Sequence, residues 1–388
     1  MTKVSGDRSP TQEGLMEFPL KYERPTIPVV DLDRFRRGDM TAAELVSATE
    51  EFANLGVICL RDSRVTPGVQ RDFRRTMLEI HGASPEERAA MDGKDSGYQF
   101  GMTPPGTEYP LDHSAWVASL RPEHRPLTIP GQADAKSRFM WAIGDRPAHS
   151  RWPEVNAGAK VPARFQRIAG PLNTWGNCML DAGRDLAEVV AMGLKMQRET
   201  FSRMFVRAPH ILGPTGSDFT NPTLGKVLAG IHYDFNPFTI HGKNGIRALI
   251  CWTRAGEPFL VEIPDGCLLA QAGRALEWMT GGFFFAGMHE VVVTPESLED
   301  AAAIIARGER AIRTSSNLFA HFATRFVMRP LGRFATPESL RRYPPIFEGD
   351  YASVELAQIG LFPKEKLALG QRVPPQYRRL VSRMRLAA

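Results

Sequence analysis

Cysteine is scarce in this chain: there are four in 388 residues, Cys59, Cys178, Cys251 and Cys267. None forms a CxxC pair and three sit in apolar runs, so neither a disulfide frame nor a zinc knuckle is expected, and the thiols suit a reducing compartment. No run of 18 apolar residues exists, which excludes a membrane-spanning helix of the usual length. Met1 to Glu13 is polar and lacks the apolar stretch of a secretory signal, so a cytoplasmic location is expected. Excess charge is also small, at +5. Basic residues are dispersed except near the C-terminus (Arg372, Arg378, Arg379, Arg383 and Arg385), which reads as a solvated tail. No RNA- or DNA-binding motif accompanies it, so no nucleic-acid partner is expected. Internal repeats and low-complexity segments are absent too.

What is present suits a soluble globular chain, one large domain or two modest ones, with 43% hydrophobic and 23% charged residues. Residues 1–24 read as a flexible N-terminal arm. Ile27-Pro28-Val29-Val30-Asp31-Leu32 then reads as a strand, and Thr41-Ala42-Ala43-Glu44 is a capping box that opens a helix stopped by Gly56. Val57-Ile58-Cys59-Leu60 is continuously apolar and predicts a buried strand. A helix is expected over roughly 66–80, and Ser84-Pro85-Glu86-Glu87 caps a short one. From Gly97 to Pro153 periodicity dissolves into Gly, Pro and aromatic residues, the kind of long irregular stretch that serves a function or links elements. Within it, Gly97-Tyr98-Gln99-Phe100-Gly101 reads equally well as the lining of a site or as a surface turn. Helical spacing returns over 162–194, with Gly170-Pro171 expected to kink or interrupt it, and a shorter helix should follow to about Met204.

From about 228 short apolar runs alternate with turns, at 246–253, 258–263, 267–272, 275–279 and 283–293. Closely spaced short strands of this kind indicate an antiparallel sandwich or jelly roll. Thr294-Pro295 opens a helix ending near Gly308, strand character resumes from Ile312 to Met328, and Thr336-Pro337 starts one more helix.

Within this β-rich region stand His232 and Asp234, two positions apart in a strand-like run, and His289 in another, Gly287-Met288-His289-Glu290-Val291. On strands, residues i and i+2 share a face, so two imidazoles and a carboxylate would converge. That set is the 2-His-1-carboxylate face that leaves three positions open on non-heme Fe(II). Arg313 and Ser315 share a face of the next strand, where a guanidinium fork and a hydroxyl can hold a carboxylate. Alternation would turn Tyr233 and Phe235 away from the metal into core packing, and Trp252 and Trp278 also read as core. His241 and His321 lack a carboxylate two positions away and read as structural or exposed.

His232-x-Asp234, 54 intervening residues, His289 and then Arg313-x-Ser315 resembles the isopenicillin N synthase-like group of Fe(II)/2-oxoglutarate-dependent oxygenases. The opening Ile27-Pro28-Val29-Val30-Asp31-Leu32, Gly56-Val57-Ile58-Cys59-Leu60, Met192-Gly193-Leu194 and the segment from Gly266 to Gly282 resemble further pieces of that family in order, over about 27–330. The resemblance implies an α+β fold: a double-stranded β-helix (jelly roll) core over 201–330, a helical N-terminal region over 25–200, and a C-terminal helical segment with a basic tail over 331–388. It implies that His232, Asp234 and His289 ligate iron. The C5 carboxylate of 2-oxoglutarate would reach Arg313 and Ser315, and O2 would take the last open position. Succinate and CO2 would be released as a small molecule, amino-acid-derived or a natural product, is hydroxylated, desaturated or cyclised. Carboxylate at 234 leaves no halide position, which argues against halogenation. The sequence departs from the family in three places. His289 and Arg313 are further apart than usual, with the helix over 294–308 between them, and the "NYYP" stretch before the first histidine is missing. Glu290 follows the distal histidine where the family often has arginine. Arg325, the alternative anchor, has no serine two positions on. Two other readings remain at this level: an iron oxidase of the same fold that does not use 2-oxoglutarate, and a catalytically silent jelly-roll binding protein.

Overall fold

The computed structural model describes residues 18–153, 155–156 and 163–361. The first 17 residues of the expected N-terminal arm and all five tail arginines lie outside the described residues.

Caps set the helix boundaries. Thr41 and Glu44 close a reciprocal capping box at the start of Ala42–Leu55, and Gly56 ends that helix at φ 75°, a left-handed conformation that glycine adopts without a Cβ penalty. The same device, Ser84 with Glu87, opens Pro85–Ala90. Thr66 caps Pro67–His81, and Thr294 caps Pro295–Ala306. The long helix is Ala169–Gly193, entered through a 3-10 segment. Gly170-Pro171 therefore falls in its first turn and leaves no mid-helix kink, because the missing proline N–H would have no partner there anyway. The stretch up to Met204 forms 3-10 turns, not the expected helix. Residues 275–279, read as a strand, lie in the helix Arg274–Met279. An apolar run that short does not by itself distinguish strand from helix.

The strands form two main sheets. The larger has ten, running from Val29–Asp31 through Val57–Arg61, Cys267–Ala272, Phe238–Gly242 and Asn317–Ala320 to Ile211–Leu212, Ser137–Ala142, Thr215–Asp218 and Ile312–Ser315, with Gly101–Thr103 beside Ser137–Ala142. The smaller has four, in the order Pro258–Leu260, Leu249–Trp252, His289–Val292, Val227–His232. The strand expected over 283–293 shortens to His289–Val292.

Alternation along the strands makes the layers. Val57, Cys59, Cys267 and Leu269 project from the large sheet onto Leu249, Cys251 and Phe259 of the small one. On its other face, Ile58, Leu60, Leu268, Phe238, Ile240 and Leu318 pack with Leu172, Trp175, Met179 and Leu186 of the long helix. Burying each such large side chain contributes about 1.5–3 kcal/mol. Helix Ala42–Leu55 lies so close behind that a Cβ on Gly193 would stand 2.0 Å from Thr49 Oγ1, so a small residue is required in Met192-Gly193-Leu194. The outer face of the small sheet, with Ile231, Ile250 and Trp252, is covered by Leu20, Trp116, Leu120 and Leu127. Residues 18–24, read from sequence as part of a flexible arm, are thus docked, and Glu23 bridges to Phe259. Among the described residues no helix is long and apolar enough to cross a membrane.

Candidate metal and anion site

His232 closes the strand Val227–His232 and His289 opens His289–Val292; the antiparallel register sets the two directly opposite each other. Facing residues of such a pair share one face, and the imidazole centroids lie 4.1 Å apart. Asp234 arrives differently. Its strand ends at His232, so simple alternation does not carry the carboxylate into place. Instead Arg274 N donates to Asp234 O at 2.8 Å and Ala275 N to Phe235 O at 3.0 Å, which ties the turn to the start of helix Arg274–Met279. Gly273 makes that approach possible: a Cβ there would stand 2.0 Å from Asn236 O. Thr239 Oγ1 then donates to Asp234 Oδ2 at 2.5 Å. One ligand atom from each of His232, Asp234 and His289 falls within 4.8 Å of the others, a group that could hold a metal ion.

Both imidazoles are set for that task. His232 Nδ1 lies 2.6 Å from Gly230 O and His289 Nδ1 lies 3.0 Å from Gly287 O. An Nδ1–H donated to a carbonyl leaves the Nε2 lone pair free. Burial pushes both rings well toward the neutral form, and for His232 the neighbouring His289 adds to it. The Gln271 amide stands between two rings: its Nε2 donates to Gly287 O at 3.2 Å, beside His289 Nδ1, its Oε1 lies 3.1 Å from His241 Nε2, and Asn317 holds the far nitrogen of His241 at 3.1 Å. His241 is therefore structural as expected, but buried, not exposed.

Arg313 and Ser315 lie on Ile312–Ser315, paired with Thr215–Asp218. Ser315 Oγ is 2.5 Å from Thr215 Oγ1. Arg313 is 5% exposed, donates through Nε to Ile246 O at 3.2 Å, and has no carboxylate partner among the described residues. Burial pulls its pKa to about 10, so it remains cationic at neutral pH. Arg325, by contrast, is exposed. A cavity of about 440 Å³ is lined by His232, His289, Arg313 and Ser315 together.

A second, smaller cavity of about 90 Å³ meets the first at His232. Asp234, Tyr233, Phe235, Phe319, His321 and Glu355 are among its walls. Tyr233 and Phe235 were expected to turn into core packing. Both do pack against apolar clusters, and they line this cavity as well. His321, read as structural or exposed, is buried, lines the same cavity and pairs with Glu348 at 3.2 Å. Gln99, from the segment 97–101, also lines it.

Sequence reasoning missed the buried ion cluster between the cavities. Lys136 pairs with Asp134 and, at 3.3 Å, with Glu108; Arg138 reaches Glu108 at 3.0 Å. Burial alone would raise the Glu108 pKa, but Arg138 and Lys136 outweigh it and hold the carboxyl below its ordinary range. Lys136 and Arg138 line both cavities. Asp134 Oδ1 accepts from Gly230 N at 2.8 Å and Thr128 Oγ1 from Ile231 N at 2.6 Å, strapping this segment to the strand that carries His232. Glu290 accepts from Leu127 N and Thr128 Oγ1 at 3.0 and 2.9 Å. Glu290 thus anchors the covering loop. The one signal for the cluster in the sequence was the Lys136-x-Arg138 spacing inside an otherwise irregular stretch.

No family model matches this sequence, and no curated protein matches it. Solved structures do. A protein of Caulobacter crescentus described as a 2OG-Fe(II) oxygenase family member aligns with TM-score 0.65 and 22% identity over 86% of this chain and 99% of its own. A full-length Neurospora crassa protein in complex with alpha-KG and thymine gives 0.66 and 17%, over 88% and 99%. The rice dioxygenase for auxin oxidation gives 0.60 and 18%, over 86% and 95%. The chain therefore has the mixed helix-and-sheet fold shared by oxygenases that use Fe(II) and 2-oxoglutarate.

Proposed function

We propose that this chain is an Fe(II)- and 2-oxoglutarate-dependent oxygenase of the isopenicillin N synthase-like type, acting on a small molecule in the cytoplasm. The packed large and small sheets are, in this reading, its jelly-roll core. One observation carries the reading: the cavity lined by His232 and His289, two members of a His-Asp-His ligand set, also holds a buried arginine with no carboxylate partner among the described residues. The donors fit the ion, since two neutral imidazoles and one carboxylate on one side of a site make the facial arrangement that suits non-heme Fe(II) and leaves positions open. A protein of the same fold, JOX2, is crystallised with 2OG, Fe and JA.

His232, Asp234 and His289 hold the metal. Gln271 Nε2 donates to Gly287 O, the carbonyl that receives the Nδ1–H of His289, and Thr239 fixes the carboxylate of Asp234. Arg313 and Ser315 bind the distal carboxylate of 2-oxoglutarate, which gives the buried guanidinium its missing counter-charge. When bound, iron, cosubstrate and O2 supply the oxidising chemistry, with succinate and CO2 as co-products; the protein positions the substrate C–H bond and excludes water. Carboxylate at position 234 favours hydroxylation, desaturation or ring closure over halogenation.

Anaerobic addition of Fe(II) and then 2-oxoglutarate tests this. The expected result is a weak visible charge-transfer band in the wild type, absent in His289→Ala and displaced to much higher 2-oxoglutarate concentration in Arg313→Ala. No band in the wild type, or an unchanged titration in Arg313→Ala, overturns the cosubstrate assignment. O2 consumption with substrate but without succinate would assign the chain to the iron oxidases.

A further inference from the structure

One ring of the smaller cavity is tied down on one side and free on the other. His321 follows the strand Asn317–Ala320, is 4% exposed and lines this cavity with His232, Asp234 and Phe235. Its backbone N donates to His210 Nδ1 at 3.1 Å, and its ring centroid lies 5.3 Å from that of Phe235. Nδ1 stands 3.2 Å from Glu348 Oε1. Nε2 has no hydrogen-bond partner among the described residues. The Nε2 atoms of His81 and His113 also lack one, but they are sealed in packing; that of His321 keeps open surface, in a ring that walls the cavity.

The protons of the pair decide what Nε2 offers. Glu348 is buried, and among the described residues His321 is the titratable group that acts on it. A neutral Glu348 carries its proton on Oε1, since Oε2 is sealed without a partner and a proton there would be a buried donor with no acceptor. It then donates to Nδ1, and the ring's own proton is on Nε2. An ionised Glu348 beside an imidazolium also leaves a proton on Nε2. The remaining arrangement, an ionised Glu348 beside a neutral ring protonated at Nδ1, strands a net charge away from water. Burial works against it, raising the Glu348 pKa despite the pull of His321. Nε2 is therefore a donor. Beyond the metal-ligand set, the charged groups of the wall are engaged: Lys136 and Arg138 with Asp134 and Glu108, and Glu355 with the hydroxyls of Tyr233 and Tyr351. Much of the remaining wall is apolar, with Met140, Phe319 and Leu356.

A buried donor with open surface and no protein partner is a group whose partner arrives with the ligand. We propose that the substrate is a small molecule with a compact apolar body and a carbonyl-type oxygen, and that the Nε2–H of His321 donates to that oxygen. This deepens the oxygenase reading and rests on it for the identity of the ligand as substrate. His321 is then a specificity-determining residue: a site built to donate a hydrogen bond rejects the isostere that lacks the acceptor far more strongly than an apolar pocket rejects a small change in shape.

Two small rings of nearly the same shape provide the test: cyclopentanone, which has the oxygen, and methylenecyclopentane, which has a carbon there. Binding of each to the full-length protein is followed by ligand-observed NMR, with thermal unfolding as the check on folding. Nitrogen NMR of the histidine rings, with the His321 signal assigned by its loss in His321→Leu, reads the proton on Nε2 directly. The expected result is a protonated Nε2 and a preference for the ketone of roughly tenfold or more in the wild type. That preference should disappear in His321→Leu and be retained in part in His321→Gln, which keeps an N–H donor. An unprotonated Nε2, equal binding of the two rings, binding of neither, or a ketone preference that survives in a folded His321→Leu overturns the proposal. These measurements need neither iron nor cosubstrate, so their failure is distinct from a missing 2-oxoglutarate band.

Discussion

The two cavities that meet at His232 are built in opposite ways. The larger is framed by strands: His232 and His289 face each other across one ladder, and Arg313 and Ser315 stand on another. The smaller adds to a few strand residues the turn after His232, the irregular stretch with Gln99, Glu108 and Leu111, and a helix near the end of the described chain. Strand walls fix charge and spacing, which suits the constant cosubstrate proposed for this cavity. Walls of loop and terminal helix can change without disturbing the sheet, which is how one scaffold comes to serve many substrates.

That contrast can be broken or sharpened experimentally. The largest effect should come from the ligand set at which the cavities meet: His232→Ala or His289→Ala should reduce bound iron and coupled turnover to background, as measured by metal content and succinate release. Arg313→Ala should act on the large cavity alone, raising the 2-oxoglutarate concentration for half-saturation by about 30-fold or more, as expected when one partner of a buried charge pair is truncated. Its Fe(II) affinity should match the wild type. Equal losses of both would show that the two functions are not separately built. Gln271→Leu should weaken Fe(II) binding by about 10–100-fold in a metal titration, the usual consequence of losing a group that orients a ligand.

The smallest effect concerns stability. His81 packs under the anion strands, with its Nδ1 3.3 Å from Ser137 Oγ and its ring where a Cβ on Gly216 would otherwise lie. Burial, aided by nearby Arg88, lowers its pKa to about 4. Its contribution is therefore fully present above the unfolded value near 6.5 and is lost as pH falls toward 4. Thermal unfolding between these pH values should show His81→Gln losing less stability than the wild type, by about 1–3 kcal/mol. Identical slopes would contradict the buried neutral ring.

Much of the metal and anion geometry was legible because it depends on short-range rules. Helix ends followed from Thr41 with Glu44 and from Ser84 with Glu87, where a side chain satisfies backbone N–H groups three residues away. The proximity of His232 and His289 followed from strand-like runs. The route of Asp234 did not, since alternation was the wrong reason for the right place: a turn held by Arg274 and permitted by Gly273 delivers the carboxylate. The helix Arg274–Met279 was missed because six residues are too few for periodicity to separate it from a strand.

The sequence by itself determined the chemistry available: a His-x-Asp pair, a distant histidine, an arginine with a serine, and four cysteines without a CxxC pair. Only the tertiary structure decided what faces that chemistry. Glu355 and Tyr233 are 122 residues apart, and the cluster of Glu108, Asp134, Lys136 and Arg138 closes over a strand that begins at Val227. No local propensity encodes such meetings. They form when burial brings remote charges together and each must find a counter-charge or a hydrogen bond away from water.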